Sequence, residues 1–160
     1  MLAEFFTWTL LLKIAVVFIA SIAFAVILKI NQRHLLLGGA GAVCTYFIYA
    51  LMLCVMDSFF AAAFISTAVA VIYAEILARV RKAPAIVYTL VAVIPTVPGG
   101  ELYFTMRYLI TNDISMCMKK LTEALEIGLG IACGLVTASI LFGIAFDLYK
   151  YAKRRISESK

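Results

Sequence analysis

Apolar residues run along this chain in long blocks, separated by short polar segments that are mostly basic. Five blocks stand out, at about 5–28, 35–56, 59–78, 84–110 and 121–149. A helix needs roughly 20 apolar residues to cross the ~30 Å hydrocarbon core of a bilayer. The pattern therefore predicts a single transmembrane domain over 1–160, an all-α integral membrane protein of five transmembrane helices. The fourth is interrupted at 95–100, where Pro95, Thr96, Val97, Pro98, Gly99 and Gly100 precede Glu101. Proline removes a helix hydrogen bond and clashes with the preceding turn. Glycine admits backbone shapes, and close ligand approach, that other residues exclude. In lipid, backbone without intrahelical partners is tolerated only against protein or a watery cavity, and broken helices are a common device of secondary transporters.

The basic segments fix an expected orientation. They lie at 29–34, at 79–82 and in the tail from Lys150. Five crossings put all three on the cytoplasmic side, with the N-terminus outside and the C-terminus cytoplasmic. A re-entrant hairpin at 95–100 would leave the basic tail outside, against the positive-inside rule. Segment 111–120 then lies outside despite Lys119 and Lys120.

Composition agrees with the membrane reading. The chain is 65% hydrophobic and 14% charged, more apolar surface than a soluble domain can hide. The net charge of +5 is read as topology and lipid headgroups rather than nucleic acid, because it sits between apolar runs. The region before the first block carries Glu4 and no basic residue, so a cleavable signal is not expected. Cys44, Cys54, Cys117 and Cys133 show no metal-ligand spacing and are expected to be free thiols. His34 is the sole histidine. No histidine-based metal site is possible; its loop position suggests a solvated residue, and a proton-shuttle role stays open. No cofactor is called for, and without a Walker motif the chain itself uses no ATP. No nucleophile and base are paired, so an enzyme is not expected.

Several residues have both a structural and a functional reading. Lys13 lies inside the first span and either snorkels to the near interface beside Trp8 or serves an ion or substrate. Glu75 lies inside the third; intramembrane acids are functional candidates, but Arg79 four residues on offers an ion pair. Gly38, Gly39, Ala40 and Gly41 form a small-residue patch. Ser66, Ala70, Ala74 and Ala78 form a smooth face, and Gly130 and Gly134 a GxxxG pair, each suited to close helix packing. Asp57 suits a helix cap. Glu123 and Glu126 suit the start of a helix.

At the break, the second half-helix begins near Pro98, and the amides of Gly99, Gly100 and Glu101 are expected to lack helix partners, an end that receives a carboxylate. The carbonyls of residues 91–94 end the first half and suit an ammonium or cation. Two such ends at one depth suit a zwitterion. Thr96, Glu101, Tyr103 and Arg107 add side-chain contacts, the last two sharing a helix face. The plain alternative is a kink satisfied by neighbouring helices.

These residues carry a resemblance. Ile94, Pro95, Thr96, Val97, Pro98, Gly99 and Gly100, followed by Leu102, Tyr103, Phe104, Thr105 and Met106, resemble the signature of the threonine/serine exporter family. The basic stretch from Ala78 and Arg79 to Ala83, Pro84 and Ala85 resembles the family's loop into the broken span. The likeness covers roughly 35–146, and the chain's size resembles the short, split-half members. It implies a carrier in the cytoplasmic membrane that exports small hydrophilic metabolites, threonine and serine foremost, with dicarboxylates of the succinate type associated with some split members. It also implies a larger membrane partner half of the same family. Two similar halves with an odd number of spans insert oppositely, which fits an inverted repeat. An acidic residue at 101 departs from the pattern. The rival readings are a structural or assembly subunit, a membrane-embedded enzyme and a channel, and a homo-oligomer is a further possible assembly.

Overall fold

The computed structural model describes residues 8–158, and every element in that range is helical. In order these are α1 (Trp8–Ile27), α2 (Gln32–Met56), α3 (Phe59–Arg81), α4 (Ala85–Val93), a 3₁₀ turn (Ile94–Thr96), α5 (Gly99–Ile110) and α6 (Ile114–Glu158). Among the described residues, three helices are long and apolar enough to cross a membrane: α2 from His34, α3, and α6 over Ile114–Tyr151. A fourth crossing follows if Ala85–Thr96 and Gly99–Ile110, bent by 44°, act as one span. The apolar stretch of α1, Leu12–Ile27, is shorter. The chain is thus an all-α, multi-pass membrane protein.

Its corners are turned without glycine. Lys29, Asp57, Lys82 and Asn112 take positive φ, and no glycine does. Each stands between two helices. Lys82 closes α3, its amide bonding the Ala78 carbonyl. Asp57 occupies such a corner and is not the cap. The cap is Ser58, whose hydroxyl accepts from the Ala61 amide. Two other boundaries differ from expectation. His34 lies on α2, not in a loop. α6 begins at Ile114, so Glu123 and Glu126 stand well inside it, too far along for the helix dipole to favour them. The basic tail continues α6 to Glu158.

Packing runs through small residues. In lipid there is no hydrophobic drive between helices, so close van der Waals fit has to supply it. Ser66, Ala70, Ala74 and Ala78 are all buried on α3. Ala74 and Ala78 take Tyr88 of α4, and Ala70 takes Ala92 and Val93. The glycine patch of α2 meets three helices: Gly38 faces Val91 of α4, Gly39 faces Phe18 of α1, and Gly41 faces Tyr73 of α3. Tyr73 donates its hydroxyl hydrogen to the Leu37 carbonyl at 2.8 Å. Gly130 and Gly134 bring α6 onto the backbone of α3, at Phe60 and Phe64 respectively. These contacts rise together in number, so α3 and α6 run parallel. α6 also packs on α5.

His34 is half-buried, and its Nδ1 hydrogen-bonds the hydroxyl of Tyr88, which is completely buried. The rings meet edge-on, with centroids 5.4 Å apart. The solvated histidine expected from sequence is therefore a tie between α2 and α4.

Candidate functional site at the helix break

Pro95 has no N–H to give the Val91 carbonyl, so α4 cannot continue as an α-helix. The chain tightens into the 3₁₀ turn Ile94–Thr96, Val97 becomes extended, and α5 starts after Pro98. Thr96 is buried, and its hydroxyl donates to the Val93 carbonyl at 2.7 Å. The Val97 amide bonds the Ile94 carbonyl. Two of the four carbonyls expected to be free, those of Val93 and Ile94, are therefore re-engaged, and that of Val91 loses its α-helical donor outright because residue 95 is proline.

The amide end is also narrower than the sequence suggested. The Gly99 amide folds back onto the Val97 carbonyl at 2.7 Å, a γ-type turn. The first α-helical bond of α5 runs from the Leu102 amide to the Pro98 carbonyl. Between them stand the amides of Gly100 and Glu101, which have no intrahelical acceptor.

The break lies level with the middle of α3. Val93, the last residue of α4, packs with Ala92 on Ala70, which is the central residue of α3. Ile131 and Leu135 of α6 close over the same cluster. The 3₁₀ turn rests on α2 and α1. The opposite side is open. A methyl built on Gly99 or Gly100 would meet nothing within 4 Å. No residue of α5 is buried, and among the other helices α5 packs substantially on α6 alone.

The structure gathers some of the expected residues and disperses others. Pro95, Thr96, Pro98, Gly99, Gly100 and half-buried Glu101 form the break. Tyr103 and Arg107 stand on the exposed flank of α5, Tyr103 edge-on to Phe104 at 5.4 Å. Arg107 is two helical turns beyond Gly99, about 12 Å at 1.5 Å per residue. Glu75 is more than a turn beyond Ala70 and pairs with Arg79 at 2.6 Å. Lys13 is exposed on α1, and the side chain of its suggested neighbour Trp8 falls outside the described residues.

Three residues near the break were not singled out for it. Glu101 lies within electrostatic reach of Tyr49 on α2 and of Lys120 on α6. Lys120 bonds Glu123 at 2.6 Å, with the Glu123 side chain largely covered. The sequence signal was the i,i+3 spacing of Lys120 and Glu123, but only the fold of α5 onto α6 brings the pair toward Glu101.

Among the described residues no group of His, Cys, Asp and Glu is placed to hold a metal ion. All four cysteines are free.

An all-helical, multi-pass chain with an interrupted helix is an arrangement that secondary transporters use. The family model for the threonine/serine exporter, ThrE, matches residues 13–141, and the chain belongs to that family. It is a membrane transporter of the threonine/serine exporter type. No curated protein and no solved structure gives a match.

Proposed function

We propose that this chain is one half of a secondary exporter that moves threonine, serine or similar small zwitterions out across the cytoplasmic membrane, binding them at the break between α4 and α5. The observation that carries the reading is the pairing of unclosed amides with open space. The Gly100 and Glu101 amides begin a helix whose dipole favours a carboxylate, and among the described residues nothing comes within 4 Å of a methyl built on Gly99 or Gly100. Glu101 and the carbonyl of Val91 offer the ammonium its counterpart. Thr96 shapes the turn from the buried side and does not itself bind. Tyr103 and Arg107 line the approach along α5 rather than the site.

The second half covers α5. That helix exposes Leu102, Met106, Leu109 and Ile110 and, among the described helices, packs substantially on α6 alone. A larger partner half of the same family, inserted in the opposite sense, closes the site on this side. In this arrangement α1 crosses as the first span and α4 with α5 as the fourth. The N-terminus lies outside, and the three basic segments lie in the cytoplasm. A proton or ion gradient drives alternation.

The test is efflux of labelled threonine, serine and succinate from preloaded cells that lack their own exporters. Efflux should need this chain together with the partner half, and threonine or serine should exceed succinate. Efflux by the partner alone would make this chain an accessory subunit. Preference for succinate would move the substrate class to dicarboxylates.

A further inference from the structure

On the face of α3 and α6 away from the break, the two parallel helices leave a groove of about 320 Å³. Phe64, Ala68 and Ile72 line one wall and Leu141, Phe142 and Ala145 the other, with no polar surface exposed. Both walls continue as helical stripes into a cationic end. On α3 the stripe 64, 68, 72 reaches Glu75 and Arg79; on α6 the stripe 138, 142, 146 reaches Lys150. The Arg79 guanidinium lies over Phe142 at 4.5 Å and over Phe146 at 4.1 Å, and the Lys150 ammonium lies over Phe146 at 4.8 Å. Two cations thus flank one ring at the mouth of an apolar groove.

We propose that this groove holds an acidic phospholipid, with an acyl chain between α3 and α6 and its phosphate at Arg79 and Lys150. The charge pattern selects the occupant. Glu75 engages Arg79 through Nη1 alone, which leaves the rest of the guanidinium fork for a phosphate. Lys150 contributes a second positive charge, with exposed Asp147 on the same helix a weak counterweight. A zwitterionic headgroup would bring its own cation to this mouth and lose the advantage. Basic pockets between transmembrane helices are a recurring way of holding acidic headgroups.

The experiment is native mass spectrometry of the full chain released from nanodiscs of equal phosphatidylglycerol and phosphatidylcholine with matched chains. The wild type should retain phosphatidylglycerol with about a tenfold preference. Lys150→Gln, which leaves the Glu75–Arg79 pair intact, should remove most of that preference. Ala145→Phe should lower retention of both lipids by filling the groove. Circular dichroism establishes that each variant is folded, and Lys150→Gln decides alone if Ala145→Phe is not. Equal retention of the two lipids by the wild type would overturn the proposal. So would an unchanged preference in Lys150→Gln, or a crosslink from position 145 to a second protein chain that excludes lipid.

Discussion

Gly130 of α6 lies so close to Phe60 of α3 that a methyl group built on it would stand 2.6 Å from the Phe60 carbonyl oxygen. The same methyl would stand 2.9 Å from the Ala63 side chain. Backbone cannot give way as a side chain can. Gly130→Val should therefore force α3 and α6 apart and cost about 1–3 kcal/mol of stability, the usual range for overpacking. Gly100→Val should leave stability within about 1 kcal/mol, since its site is open and only helix propensity changes. Thermal unfolding of the two variants in detergent checks the contrast; equal loss in both would contradict the packing described.

His34 and Tyr88 join α2 to α4 through a hydrogen bond. Tyr88→Phe keeps the packing against Ala74 and Ala78 and removes only the hydroxyl. It should destabilise the fold by about 1 kcal/mol, or somewhat more because the imidazole is left half-buried without its partner. Adding His34→Leu to Tyr88→Phe should then cost less than the sum of the two separate losses. A double-mutant cycle on thermal unfolding reads this coupling, and strict additivity would show the bond to be energetically idle.

Thr67 of α3 is fully buried against α6, and its hydroxyl has no hydrogen-bond partner among the described residues. The other buried hydroxyls nearby are satisfied, Ser66 by the Ala63 carbonyl and Thr45 by the Gly41 carbonyl. Valine has nearly the same shape. Thr67→Val should be neutral or stabilise by about 1 kcal/mol. A clear loss of stability or of efflux in this variant would give the hydroxyl a partner or a role in the assembled transporter.

The break was legible because Pro95 dictates it: a missing N–H in an apolar run has one physical consequence wherever the helix goes. The helix-facing role of Ala70, Ala74 and Ala78 followed from spacing for a similar reason. What spacing could not give was direction. Tyr103 and Arg107 do share a face, but whether it turns inward depends on the 44° bend, which residue types do not encode. His34 and Tyr88 are 54 positions apart, and only the glycine-mediated approach of α2 to α4 brings them together. The first turn of α6 was misplaced because Lys119, Lys120 and Glu123 read as a polar loop and its border, whereas the helix runs straight through them. Gly99 looked like one of three equal anion donors, but the γ-type turn takes its amide out of use.

In the proposed exporter the backbone at Gly100 faces substrate. Gly100→Val offers the most direct test, because it adds bulk where this chain has room for it. Efflux of labelled threonine should be measured for the paired halves, with membrane insertion and abundance of the variant verified alongside. Efflux should be abolished while insertion and abundance stay at wild-type levels. Wild-type efflux from Gly100→Val would show that no ligand approaches this backbone, and the break would then be a structural kink.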